Sequence, residues 1–163
     1  MKIELLNVID TPVRPGKIAV FLADIHIDGK ERGFASDTGF GSGTKVLPPE
    51  LAVEMDAYAA TLPSTKLGLG DGRSIEHTQT AVDIIGDLLA QFHLENDLRK
   101  LMSKRIVFTK NGAKGIFQTK TMTVKQKTRF LAHLDTYAAK NMDVILNGLH
   151  FEEAFEVYKT NVR

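Results

Sequence analysis

The chain has 163 residues, of which 43% are hydrophobic and 25% are charged, and its 21 basic and 20 acidic side chains leave a net charge of +1. This composition is typical of one folded domain and excludes a chain that is disordered throughout. Because there is no cysteine, disulfides, thiolate metal sites and cysteine nucleophiles are excluded. No apolar run approaches the roughly 18 to 20 residues of a membrane span, so no membrane partner is expected and a cytoplasmic protein is predicted.

Residues 1–47 are predicted to form an antiparallel β-meander. Ile3 to Ile9 is a short apolar segment, and residues 17–27 are rich in β-branched and aromatic side chains, as strands are. The Asp28-Gly29 pair that follows is a strong signal for a two-residue hairpin turn. The chain is therefore expected to double back after this turn and to pair with the preceding strand.

Helices are predicted within residues 50–103. Residues 50–62 are rich in alanine and carry apolar side chains about one helical turn apart. Residues 64–73 are polar, contain three glycines, and are predicted to form a flexible connector or lid. A second helix is expected to begin at Ser74, which can cap it, and to break near residues 95–97.

A β-hairpin is predicted at the start of the last part of the chain, residues 104–163. Two segments suited to strands flank Asn111-Gly112-Ala113-Lys114, so a hairpin is expected with a loop of either two or four residues. Alternation along the strands places Phe108 and Phe117 on one side and Val107 on the other. The two rings are expected to face the core, although exposed rings at these positions could instead stack on nucleic-acid bases.

The hairpin is followed by a predicted helix, strand and helix. Thr123 and Gln126 have the spacing of a capping box, which predicts a helix from this point to about Lys140. A short strand is expected at Val144 to Leu146, and a terminal helix at residues 150–159. The sequence thus predicts a single α+β domain over residues 1–163, with an N-terminal antiparallel β-meander, central helices and a C-terminal β-β-α-β-α unit.

Charge is distributed unevenly along the chain. Residues 98–134 contain ten basic side chains and no acidic one. A field of one sign attracts an anionic partner, and phosphate backbones are the commonest such partner. We therefore predict a non-enzymatic protein that binds DNA or RNA phosphates through a basic hairpin and helix, without a cofactor. The predicted contact residues are the cations of these two elements: Arg105, Lys110, Lys114, Lys120, Lys125, Lys127, Arg129 and Lys140.

Two alternatives remain open on the sequence. In the first, the protein is a small accessory or inhibitor protein whose basic face docks on an acidic surface of another protein. In the second, Asp24, His26 and Asp28 share one face of a strand and hold a divalent metal. The strand with its Asp-x-His resembles the opening motif of calcineurin-like metallophosphoesterases, which implies a metal-dependent phosphoesterase using Asp24 and His26. The family's contiguous Gly-Asn-His and its Gly-His-x-His motif are absent from the chain, and no metal site is predicted.

Overall fold

The computed structural model describes residues 1–11, 20–39, 43–70, 72–133 and 142–162. The predicted α+β class is confirmed, since an antiparallel sheet is combined with helices and further small sheets. The chain divides into two compact units, an N-terminal unit of residues Met1–Ala90 and a C-terminal unit of residues Gln91–Arg163. Each unit contains its own cluster of buried side chains. That residues 1–163 form one domain stays a prediction.

The N-terminal unit is built on the predicted meander, an antiparallel sheet whose strands follow one another in chain order. Asp28 and Gly29 form the predicted turn, and both have positive φ, 50° and 80°, as a type I′ turn requires. The four strands are β1 (Ile3–Thr11), β2 (Val20–Ile27), β3 (Lys30–Asp37) and β4 (Lys45–Leu47).

One helix covers the inner face of this sheet. Helix α1 (Pro49–Ala59) buries Leu51 and Met55 among side chains of β2 and β3. Strand β4 and helix α1 lie so close to β3 that a side chain at Gly33 would collide with the carbonyl oxygen of Leu47 in β4 and with the side chain of Leu51 in α1. A glycine is therefore required at that position of β3.

The predicted connector at residues 64–73 is wrong, because much of it lies in a second hairpin. Strand β5 (Thr65–Gly68) pairs with β6 (Ser74–His77) in antiparallel register. Ser74 consequently begins a strand and not a helix. The helix begins later: α2 runs from Ala81 to Lys104.

Local hydrogen bonds explain why α2 begins at Ala81 and why it continues through residues 95–97. The backbone N–H of Thr80 donates to the Asp83 carboxylate over 2.8 Å, and the N–H of Asp83 donates back to the Thr80 hydroxyl over 3.3 Å, so this pair caps α2. The predicted break near residues 95–97 is also absent from α2. Gln91 donates to Glu95 over 3.0 Å across that part of the helix, where neither glycine nor proline interrupts the backbone.

The C-terminal unit contains the predicted β-hairpin. Strand β7 (Val107–Lys110) pairs with β8 (Ala113–Gln118), and Lys110 opposes Ala113, so the turn is the two-residue Asn111-Gly112. The side of the hairpin that faces the main cluster differs from the prediction. Val107 packs in that cluster together with Leu98, Leu146, Ala154, Phe155 and Tyr158. Phe108, on the opposite side, is only 6% exposed, so β7 is covered on both faces.

The elements after the hairpin are shorter than expected. Helix α3 (Val124–Ala132) has the predicted capping box but ends at Ala132, and residues 134–141, with Lys140, lie outside the described part of the chain. In place of a strand at 144–146, a single bridge pairs Ile145 with Phe108, followed by a 3-10 turn at Leu146–Gly148. The terminal helix is confirmed as α4 (Phe151–Val162). No helix within the described ranges is long and apolar enough to cross a membrane.

Candidate anion-binding face

The division of the chain into units is also a division of charge. The N-terminal unit carries 8 basic and 13 acidic side chains, a net charge of −5. The C-terminal unit carries 13 basic and 7 acidic side chains, a net charge of +6. The near-neutral chain therefore consists of an acidic unit and a basic unit, and the basic stretch of residues 98–134 lies wholly in the second.

Several cations of this stretch lie around the C-terminal end of α2. The backbone N–H of Met122 donates to the Lys104 carbonyl over 2.8 Å, and the N–H of Thr119 donates to the Ile106 carbonyl over 3.0 Å. These bonds fold the chain that leads into α3 against the end of α2. Lys104, Arg105 and Lys120 are consequently placed near one another at this corner of the C-terminal unit.

Lys127 stabilises the same corner from inside. Its ammonium group donates to the carbonyls of Met102 and Ser103 over 2.7 and 3.1 Å. These are carbonyls of the last turn of α2, which no later residue of the helix can satisfy, and a cation there also complements the helix dipole. Because its charge is already used within the protein, Lys127 is the predicted contact residue least available to a partner.

The side chain of Asn147, which lies far along the chain from α2, also makes hydrogen bonds at this corner. Its amide donates to the carbonyls of Met102 and Arg105 over 3.1 and 3.0 Å, and its carbonyl oxygen accepts from the N–H of Val107 over 2.7 Å. This one side chain thereby binds the end of α2 and the start of β7. Asn147 thus has a structural role at the base of the cationic region.

The outer side of α3 carries the most accessible charges. Lys125 and Arg129 are exposed and one helical turn apart, which places them on the same side of the helix. Val124, at the start of the helix, is 75% exposed next to them. The exposed side of α3 is therefore mainly cationic, with one apolar side chain at its start.

The hairpin cations are held in different ways. Arg105 donates to the side chain of Gln118 over 2.7 Å, and the Lys110 ammonium lies 4.3 Å from the centre of the Phe117 ring. Lys114 is exposed near the turn. Since strands rise about 3.3 Å per residue, it lies roughly 13 Å along β8 from Gln118 at the hairpin base. The hairpin thus presents one cation near its tip, apart from the group at its base.

The aromatic rings of the hairpin are only partly accessible. Phe108 and Phe117 stack with ring centres 6.1 Å apart, and Phe108 is buried. Phe117 is half-buried and already covered by Lys110. The expectation that these rings pack inside the protein is therefore met fully by Phe108 and partly by Phe117.

Internal partners account for two more cations of the stretch. The Arg99 guanidinium lies 3.5 Å from the centre of the Phe151 ring, a cation–π contact. Lys100 approaches Asp97 at 3.8 Å, and within the described ranges this is the one ion pair made by the ten basic residues. Lys114, Lys120, Lys125 and Arg129 are left exposed and without a salt bridge to any described residue. We refer to these four side chains, of which Lys114 lies apart near the hairpin tip, as the candidate anion-binding face.

Two of the three candidate metal ligands, Asp24 and Asp28, make hydrogen bonds within the N-terminal unit. The Asp24 carboxylate accepts a hydrogen bond from the Asn7 amide over 2.7 Å, and that of Asp28 accepts from the backbone N–H of Lys2 over 2.8 Å. These bonds fasten β1 to β2. Among the residues that the structure describes, no group of three or more histidine, aspartate or glutamate side chains is placed to hold a metal ion.

A histidine and an aspartate meet at the start of α2, where sequence analysis found no site. His77 Nε2 lies 2.9 Å from the Asp83 carboxylate, which also accepts from the Thr80 hydroxyl over 2.7 Å. The hydrogen bond from Thr80, and after it that from His77, lowers the pKa of Asp83 below its usual value. The spacing Thr80-x-x-Asp83 is the sequence signal that could have shown this arrangement.

The chain matches no protein-family model, and no curated protein or solved structure is significantly similar to it.

Proposed function

We propose that the protein binds nucleic acid through the phosphates, using the candidate anion-binding face of the C-terminal unit. The observation that carries this proposal is that Lys114, Lys120, Lys125 and Arg129 are exposed while making no salt bridge within the described chain. A group of exposed cations raises the local concentration of an anion and steers its approach. Phosphate contacts of this kind are independent of base sequence.

The spacing of the cations on α3 suits a phosphate backbone. Lys125 and Arg129 are four residues apart, which corresponds to about 6 Å along the helix axis. Successive phosphates of one DNA strand rise about 3.4 Å along the duplex, so for an α3 that lies along the duplex axis the two cations span roughly two nucleotide steps. The capping box at Thr123 fixes the start of α3 and thereby the direction in which both side chains extend.

A second candidate function is docking on an acidic protein surface. The observation that favours it is Val124, which is 75% exposed directly beside Lys125. An apolar side chain next to a cation gains from contact with a protein surface, whereas it gains little from a phosphate. In this function the protein is an accessory or inhibitor protein and the same face makes the contact.

The test is a titration of a fluorescently labelled duplex at several salt concentrations. We expect the logarithm of the binding constant of the wild-type protein to fall linearly with the logarithm of the salt concentration. Replacing Lys114, Lys125 and Arg129 together by alanine should weaken binding and flatten this dependence, by up to about 2.7 units of slope if each cation contacts one phosphate.

The matched control is the triple alanine variant at Lys30, Lys45 and Lys66. These lysines are equally exposed but lie in the N-terminal unit, so the control removes the same net charge from the other unit. The control should bind like the wild-type protein. Equal weakening in both triple variants would show that only net charge matters, and absence of binding at low salt would contradict the proposed function.

A further inference from the structure

The first turns of α2 present an acidic face that is open to solvent. Val82, Asp83, Gly86, Asp87 and Ala90 occupy one side of the helix. Val82 is 47% exposed, and Gly86, Asp87 and Ala90 are exposed as well. We call these five residues the acidic α2 face.

A groove lies over this face. It has a volume of about 450 Å³, with Leu67 of β5 and Val82 among its apolar lining, Asp83 and Asp87 as its carboxylates, and His77, which bonds to Asp83, on its wall. A side-chain carbon placed on Gly86 would meet no other heavy atom within 4 Å. Glycine inside a helix is destabilising relative to alanine, and it is useful where another backbone must approach closely. The groove thus combines open space, apolar walls and negative charge.

The exposed side of α3 repeats this arrangement with the opposite charge. Val124, Lys125, Thr128, Arg129 and Ala132 follow the same spacing as the acidic α2 face, and all five are exposed. Valine and alanine occupy the first and last positions of both faces. At the positions between them, Asp83 corresponds to Lys125 and Asp87 to Arg129. Gly86 corresponds to Thr128.

We propose that the acidic α2 face of one copy of the chain binds the exposed side of α3 of a second copy. Complementary charges favour this pairing and disfavour pairing of like faces, which would place like charges together. Gly86 lets the partner helix approach, and Val82 and Val124 both lose solvent contact. Because the faces are short and the charges are near water, the association is weak and decreases with added salt.

Self-association regulates the candidate anion-binding face. Lys125 and Arg129 belong to that face, so a second copy bound to α3 and a nucleic acid bound to α3 exclude one another. This competition rests on the proposed function, whereas the self-association does not. Protein alone therefore associates, and nucleic acid releases the copies from one another.

Sedimentation velocity of the full chain over a range of protein concentrations tests the self-association. At low salt the wild-type sedimentation coefficient should rise with concentration, and at high salt it should not. Asp87→Lys and Arg129→Glu should each weaken association at least about tenfold, because each places like charges opposite one another. Combining the two in one chain should restore it to within about threefold of wild type. The controls Glu50→Lys and Lys114→Glu make the same charge changes outside the two faces and should leave association unchanged.

Gly86→Met tests the close approach without changing charge. Since no described side chain lies near Gly86, the variant should keep the wild-type circular dichroism spectrum and should melt at or above the wild-type temperature, because it removes a glycine from the helix, while association is lost. A wild-type protein that stays monomeric at low salt, or a combined Asp87→Lys and Arg129→Glu variant that is no better than either single variant, would overturn the self-association. Adding a duplex oligonucleotide should dissociate the wild-type assembly. If the duplex binds in the titration yet leaves the assembly intact, the competition is wrong while the proposed function stands.

Discussion

The two units of the chain satisfy their charged groups in different ways. In the N-terminal unit, where acids outnumber bases, cations pair with carboxylates, as Arg32 does with Glu54 at 2.7 Å. In the C-terminal unit, ion pairs also occur, such as that of Lys159 with Glu156 at 2.6 Å, but other cations use carbonyl oxygens and aromatic rings, as Lys127 and Arg99 do. A run of basic residues in the sequence therefore contains both structural cations and cations that make no salt bridge to a described residue. Only the fold separates them.

The stability of the N-terminal unit should depend strongly on its close packing around Gly33. Gly33→Ala should destabilise the protein by about 3 kcal/mol, because the new methyl group collides with the Leu47 carbonyl. Gly86→Ala is the control, since it adds a methyl group in open space within a helix and should stabilise by about 0.5 to 1 kcal/mol. Urea denaturation measures both changes. Similar effects at the two glycines would contradict the described packing of β3 on β4.

The stability of the C-terminal unit should depend on the side chain of Asn147 about as strongly as that of the N-terminal unit depends on Gly33. Asn147→Ala removes the side-chain partner of the Arg105 carbonyl and of the buried Val107 N–H, and leaves the Met102 carbonyl with Lys127, so it should cost about 2 to 3 kcal/mol. Asn161→Ala, which removes a single bond to the Val157 carbonyl one turn earlier in its helix, should cost no more than about 1 kcal/mol. The two variants are compared by chemical denaturation. Equal losses would show that Asn147 does not organise the unit.

Two lysines of α3 should differ in their roles, since one contributes to stability and the other to binding. Lys127→Met should lower stability by about 1 kcal/mol, because the carbonyls of Met102 and Ser103 lose their cation. Lys125→Met should leave stability within about 0.5 kcal/mol and should weaken duplex binding instead. Thermal denaturation and the duplex titration on the same samples give both quantities. If Lys127→Met weakens binding more than Lys125→Met does, the assignment of the two lysines is reversed.

Acidification should change the stability of the N-terminal unit only slightly, through the Asp83 carboxylate. Because hydrogen bonds from Thr80 and His77 lower the pKa of Asp83 in the folded state, its charge stabilises the fold above the unfolded pKa of about 3.9. This stabilisation is lost as pH falls through the lowered folded pKa. The side chain is 38% exposed, so solvent reduces the effect. Asp83→Asn should be less stable than wild type at neutral pH and should approach it in strong acid, as measured by urea denaturation at several pH values. A difference that is independent of pH would contradict the role of this carboxylate.

Local signals in the sequence predicted the elements whose causes are local. The segment Asn111-Gly112-Ala113-Lys114 predicted the hairpin, and Thr123 with Gln126 predicted the start of α3. The same kind of signal failed at Ser74, because pairing with β5 outweighs its capping tendency. The readable alternative was the Thr80-x-x-Asp83 spacing.

Features with distant causes could not be predicted from the sequence. Asn147 bonds to groups about 40 residues earlier in the chain, and Lys127 bonds to carbonyls about 25 residues earlier. Nothing near Lys125 or Lys127 in the sequence shows which of the two is free. The basic stretch indicated the kind of partner, while the selection of its exposed members required the folded chain.

We expect an anionic partner to contact the C-terminal unit and to leave the N-terminal unit unbound. An NMR titration of ¹⁵N-labelled protein with a duplex oligonucleotide at low salt tests it most directly. We expect the amide signals of residues 104–133 to shift, with the largest changes in α3 and near Lys114, while the signals of β1, β2 and β3 stay in place. Shifts centred on the N-terminal sheet, or no shifts with the duplex in excess, would contradict the assignment of the candidate anion-binding face.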